Sequence, residues 1–411
     1  MNAFKLSAIA ASMAICLLPP AVADVITDWN ITVLNAGNAA RQTPVGQTPA
    51  VQARNMAMVH LAMFDAVNSI EPRYTPYRMQ LKVPSDTSRE AAASAAAHYL
   101  IVRLYPAQAK DADAALATAL ASVPEGAGKT QGVQLGEKVA AALLEERSKD
   151  GANVPDTYRP HGAAGAYVPT VLTASWNWGL VKPFAMTAGN QFRPSAPYAL
   201  NSAQWAKDFN EVKTIGAKTD SARTPEQTDI AKFWEQTGAG SFNQIVEQVA
   251  AAKKLSLMEN ARLYAQVYLA TADAFIAIFD AKYAYNFWRP LTAIRNGDAD
   301  GNDATTRDAA WSPFITTPMH PEYPCAHCIA QSSAATVLNA YFGDNVPTAT
   351  MTSPSAPGVK RSFSRLSDYK AEIINARIYD GVHYRTSGEV GVEMGRKIGE
   401  HVTQNFLKTL R

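Results

Sequence analysis

Apolar residues in this chain recur at intervals of three and four rather than at alternate positions, and that period commits it to helices. The pattern predicts a long apolar helix from about residue 256 to 282. Residues 51–68 carry the same spacing through Val51, Met56, Met58, Val59, Ala62, Met63 and Val67, and residues 87–104 and 130–149 read alike. Thr224-Pro225-Glu226-Gln227 opens a further helix, with proline in its first position and an acid in its first turn. Helices are also expected from Cys325 or Ala326 through Ala340, near 366–380 and near 388–408. Between residues 150 and 200 the texture changes to Pro, Gly, Tyr and Trp, as in Trp176-Asn177-Trp178-Gly179, which marks an ordered connector between two helical halves. A second loop, 296–324, is rich in Gly, Asp and Pro. With no internal repeat, low-complexity tract or alternating strand pattern, the expected fold is all-α: two helical bundles joined by long irregular connectors. The division expected is 24–200 for an N-terminal helical region with its connector and 201–411 for a C-terminal bundle.

Composition narrows the function. At 411 residues, 47% hydrophobic and 18% charged, the chain is globular, which excludes disorder and fibrous structure. Thirty-eight basic against 36 acidic residues is too balanced for a nucleic-acid or anionic-membrane surface, so any anion site must be built locally. Residues 1–23 read as a signal peptide: Lys5, an apolar run from Leu6 to Leu18, and Ala21-Val22-Ala23 before Asp24. The expected destination is therefore the periplasm or the outside medium. That run is too short for a stable membrane anchor, and no later segment reads as long enough. The leader takes Cys16 with it, leaving Cys325 and Cys328, enough for one local bridge but not for a disulfide scaffold.

The chemistry lies in the last third. Lys282 and Arg289 stand seven residues apart, nearly two helical turns, so that two cations could share one face. His320-Pro321-Glu322-Tyr323-Pro324-Cys325-Ala326-His327-Cys328 then leads into an apolar helix whose first amides point outward as an anion site, with His327 placed to give a proton to a departing group. In Arg377-Ile378-Tyr379-Asp380-Gly381-Val382-His383 a helix ends at Gly381, and His383 follows as a nitrogen able to attack phosphorus or bind a metal. Arg377 brings a planar fork suited to equatorial oxygens.

Together, Lys-x6-Arg-Pro, Pro-x-x-His and Arg-x5-His resemble the signature of the vanadium-dependent haloperoxidases and of the type 2 phosphatidic acid phosphatases that share their site. Phe287-Trp288-Arg289-Pro290, Ala272-Asp273-Ala274 and connector runs such as Gln191-Phe192-Arg193-Pro194 resemble the haloperoxidase branch. The resemblance implies a haloperoxidase-like helical fold. It also implies that Lys282, Arg289, Cys325, Ala326 and Arg377 hold the oxygens of vanadate, that His383 binds the vanadium, and that His327 serves as acid-base group. Hydrogen peroxide, a halide and a small organic acceptor would be the reactants, without haem. A metal-free acid phosphatase working through a phosphohistidine at His383, and a non-catalytic oxyanion-binding protein, remain alternative outcomes of the same residues.

The chain departs from the family pattern at three places. Cys325-Ala326 replaces Ser-Gly; a thiol donates poorly, and a Cys325–Cys328 bridge would remove the donor altogether. His320, where chloride-oxidising relatives have an aromatic residue, favours bromide or iodide. Ser387 stands where an acid is usual, so support for His383 must come from elsewhere. Phe279, Tyr283 and Trp288 are expected to wall the site, and His60, His98 and His401 to be structural. A zinc site built on the cysteines lacks ligands, and the 298–303 loop departs from the calcium-loop pattern.

Overall fold

The structure is a computed structural model describing residues 24–43 and 46–410; the expected signal peptide, 1–23, lies outside the described residues. The helices, in chain order, are α1 (Val25–Arg41), α2 (Pro49–Ile70), α3 (Arg89–Leu104), α4 (Ala109–Ala121), α5 (Ala127–Arg147), α6 (Ala203–Ile215), α7 (Pro225–Phe233), α8 (Gly240–Lys253), α9 (Leu257–Tyr285), α10 (Pro290–Arg295), α11 (Ala326–Phe342), α12 (Leu366–Tyr379) and α13 (Arg385–Asn405). The fold is a helical bundle architecture, as the periodicity predicts. Local chemistry fixes the helix starts: Ser256 with Glu259 and Thr224 with Gln227 form capping boxes at α9 and α7.

One antiparallel hairpin, β1 (Asn345–Thr352) with β2 (Lys360–Arg365), departs from the all-helical expectation. Pro347 and an irregular register between Asn345 and Ala349 break the two-residue period that would have announced β1. Its outer edge is closed by α8, where Gln244 and Gln248 pair with the backbone of Thr352 and Thr350.

A continuous apolar core runs through both halves of the chain, from Ile26 in α1 to Leu407 beyond α13. α9 is its centre. Contrary to the sequence expectation, this helix is long and apolar enough to cross a bilayer, but 94% of its most apolar window is buried by protein. A second, aromatic cluster contains Trp205, Phe209, Trp288, Trp311 and Tyr384. The connector is tied to α9 at Asp273, whose buried carboxylate accepts the amides of Phe184, Ala185 and Met186 at 2.6–2.8 Å.

α13 lies against α11 through Gly391, Gly395 and Gly399. A Cβ on Gly395 would stand 2.3 Å from the carbonyl oxygen of Ile329, so only glycine allows the approach. This contact holds the helix whose first turn carries His327.

Candidate active site

Lys282, Arg289, Arg377 and His383 are all buried, and they meet between the end of α9, the 320–325 loop, the start of α11 and the α12–α13 turn. Lys282 and Arg289 converge by a route that differs from the expected shared helix face. α9 ends at Tyr285, Asn286 takes a left-handed conformation at φ 47°, and Arg289 caps α10. The kink turns both cations onto the 320–322 backbone: Lys282 Nζ donates to the carbonyls of Pro321 and Glu322 at 2.9 and 2.7 Å, and Arg289 Nε to that of His320 at 2.9 Å. Ammonium has three donors, so Lys282 retains one.

His383 is held from both sides. Its Nδ1 lies 2.6 Å from Oε1 of Glu322, which also accepts the Tyr384 amide at 3.2 Å. Arg289 Nη1 lies 3.2 Å from Nε2. A carboxylate accepts and a guanidinium donates, so the proton sits on Nδ1 and Nε2 keeps its lone pair. The acid that Ser387 does not supply is thus Glu322. It was visible in the sequence as a charge between two prolines, but its reach across 61 positions was not.

Arg377 donates to Trp234 O at 3.0 Å and pairs with Asp380 at 2.5 Å, while its buried Nε has no partner. His327 heads α11 with Nε2 at 3.1 Å from Gln236 O, which assigns the proton to Nε2 and leaves Nδ1 as acceptor. The 234–238 segment therefore forms the facing wall, a contribution the sequence reading did not anticipate. His320 places Nδ1 3.0 Å from Arg289 Nη2 and meets Phe279 edge-on at 5.5 Å.

Two expected site residues fall elsewhere. Cys325 is disulfide-bonded to Cys328, its Sγ accepts the Cys328 amide, and its own amide donates to Ser387 O, so Cys325 has no donor for an oxyanion. Trp288 belongs to the aromatic cluster behind Arg289, stacked on Trp205 at 5.8 Å, because the extended 287–288 pair turns its ring away from the chamber. Tyr283 is engaged with Ala174 O and stacks on Phe279. Asp300, in the loop weighed as a calcium site, accepts from Trp205 and Thr305.

Burial governs the electrostatics. It pushes the Lys282 ammonium well below its usual range, with Arg289 adding to the effect, and lowers Arg289 to about 10. The imidazoles of His320, His327 and His383 fall well below the ordinary value, through burial first and then the neighbouring cations, so they are neutral at pH 7. Burial raises Glu322 and Asp380 to about 7. Three buried cations thus face two buried carboxylates, an imbalance that an anion would relieve.

A family described as the VCPO second helical-bundle domain matches residues 262–411, the span that holds this cluster. The crystal structure of the first bacterial vanadium-dependent iodoperoxidase superposes with a TM-score of 0.79 at 25% identity, over 94% of this chain and 98% of that one. The chain is thus similar to the vanadium haloperoxidases, in sequence over residues 262–411 and in fold over nearly its whole length. The vanadium chloroperoxidase of Curvularia inaequalis is 24% identical, over 79% of this chain and 68% of that protein. An apo-type bacterial vanadium-dependent chloroperoxidase shares the fold at a TM-score of 0.73 and 18% identity, over 89% of this chain and 96% of that one.

The donors present suit the tetrahedral oxyanion of a vanadium haloperoxidase. They comprise the third Lys282 proton, the unpartnered Arg377 Nε and the Ala326 and His327 amides that open α11, around one basic nitrogen on His383.

Proposed function

We propose that the chain is an exported vanadate-dependent haloperoxidase, oxidising bromide or iodide with hydrogen peroxide to the hypohalous acid. The observation that carries this reading is the Nε2 lone pair of His383, held by Glu322 and Arg289 inside a buried ring with more cations than anions. In this reading residues 201–411 form the oxyanion-binding bundle, and residues 24–200 supply part of the approach.

Lys282, Arg289, Arg377 and the Ala326 amide would hold the oxyanion's oxygens, and His383 Nε2 would bind vanadium. Bound vanadate supplies a Lewis acid that makes hydrogen peroxide electrophilic toward a halide without changing oxidation state. Lys282 would stabilise negative charge on the bound oxyanion, since its desolvated ammonium gains most from a nearby anion. The reaction consumes one proton per halide, and Nδ1 of His327 is placed to carry it. Preference for bromide or iodide is supported by His320 beside Arg289 and by likeness to the iodoperoxidase. Export is supported by residues 1–23 and by a disulfide suited to an oxidising compartment.

The test is halogenation of a phenol dye by the purified protein, with and without orthovanadate and with phosphate as competitor. Expected is vanadate-dependent turnover, suppressed by phosphate and abolished in His383→Ala. Phosphate-ester hydrolysis without vanadate, lost in the same variant, would instead establish the phosphatase chemistry. Undiminished activity in His383→Ala would overturn the shared site.

A further inference from the structure

A chamber of about 490 Å³ opens directly onto His327, Arg377 and His383. Peroxide and a halide are each only one or two heavy atoms, whereas this volume lies in the range that encloses a whole organic ligand. Its walls are largely apolar, from Phe275, Phe279, Ile315, Pro318, Met319 and Ala330. Near the mouth, Met319 is 48% exposed, its carbonyl accepts the Ala174 amide, and neighbouring Leu172 is 92% exposed, which extends the apolar surface outward. Four polar wall residues carry a buried atom without a partner: Arg377 Nε in the oxyanion cluster, Gln47 Oε1, Thr317 Oγ1 and Gln331 Nε2; of these Gln331 is the fully buried amide donor, its Oε1 accepting from Tyr369 Oη at 2.8 Å. An orphaned buried amide donor costs stability and is retained where a ligand satisfies it.

We propose that this chamber binds the organic acceptor itself, an uncharged electron-rich aromatic molecule whose oxygen accepts from Gln331 Nε2, and that halogen reaches it before leaving the protein. The proposal rests on the haloperoxidase reading and deepens it. The transfer balances: the aromatic carbon–halogen bond forms, the oxygen–halogen bond of the hypohalous acid breaks, and the displaced ring proton and hydroxide leave as water. Held against one wall, the ring presents one edge to the oxyanion cluster, so position on the ring is selected by the chamber and not by intrinsic reactivity.

The test combines three readings on the full-length mature protein. Triiodide formation from iodide and peroxide, with no organic acceptor, reports the haloperoxidase reading alone. Quenching of 1-naphthol fluorescence, without peroxide or halide, reports the chamber; saturable binding is expected, weakened about tenfold for naphthalene, which lacks the oxygen. The ratio of brominated 1-naphthol isomers, set against reagent hypobromite at the same pH, reports transfer inside the protein, with at least a threefold departure expected. Ala330→Phe, which fills the chamber, should lose naphthol binding and return the isomer ratio to that of the reagent. Phe275→Ala, which removes a wall without crowding, should weaken binding severalfold. Triiodide formation with no saturable naphthol binding and a reagent-like isomer ratio overturns the proposal. Naphthol binding equal to that of naphthalene removes the role of Gln331. Absence of triiodide overturns the haloperoxidase reading, and halogen transfer with it.

Discussion

Gly395→Ala tests whether the α11–α13 contact sets the position of the first turn of α11. The added Cβ would lie 2.3 Å from Ile329 O, 2.8 Å from Ser332 Cβ and 3.0 Å from Ser333 N. The oxygen and nitrogen are backbone atoms, so no rotamer change relieves them. Ordinary contact begins at 3.4 Å, so the two helices must part by about 1 Å in a close-packed interior. Overpacking of this kind costs about 1–3 kcal/mol, partly offset by about 1 kcal/mol from the better helix propensity of alanine. The midpoint of guanidinium unfolding should therefore fall modestly. Turnover should fall further, because Ile329 is half a turn beyond His327 and a 1 Å displacement of a catalytic group can cost roughly a hundredfold. Gly399→Ala is the control. Its Cβ meets Thr336 and Ser333 at 2.7–2.8 Å, farther along α11, so a comparable loss of stability should accompany a much smaller loss of turnover. Equal turnover losses in the two variants, or wild-type stability in Gly395→Ala, would refute the reasoning.

Three further predictions follow from buried partners. Glu322→Gln replaces a carboxylate 2.6 Å from His383 Nδ1 and should lower turnover about 10- to 100-fold, with nitrogen-15 shifts of His383 reporting loss of the single Nδ1–H tautomer; an unchanged spectrum would remove its positioning role. His327→Ala should retain vanadate binding by calorimetry while losing halide oxidation, whereas loss of both would make His327 a binding group instead. His60 stacks on Tyr264 and Tyr268 with its folded pKa lowered to about 3, so the unfolded chain alone takes up its proton below about pH 6.5. This residue's contribution to stability is complete above that pH and declines as pH falls toward 3, by up to about 1.4 kcal/mol per pH unit. The stability of His60→Phe relative to wild type should therefore rise between pH 6.5 and 4, and a constant difference would contradict the assignment.

What could be read from the sequence was periodic or contiguous. Helices announced themselves because buried faces repeat every three or four residues, and the oxyanion motifs because each is a short run at a helix end. The hairpin was hidden by Pro347, and the length of α9 was underestimated because its last turn carries Lys282, Tyr283 and Tyr285. Lys282 and Arg289 were paired correctly for a reason that does not hold: a left-handed Asn286, and not helical phase, brings them together. Glu322, Asp380 and the Gln236 carbonyl escaped notice for a common physical reason. A supporting group is chosen by where the chain folds back, and a carboxylate or carbonyl in a loop carries no local mark of the histidine or arginine it will meet. Of the chamber's walls, Phe279, His320 and the oxyanion motifs themselves were expected at the site; the rest come from segments as distant as Pro49 and Gln331, and residues such as Pro49, Phe275, Ile315 and Ala330 are ordinary apolar or small residues in their own neighbourhoods. Ligands of the oxyanion are therefore encoded locally and its environment globally, which places the determinants of acceptor choice in the part of the sequence that motifs do not reach.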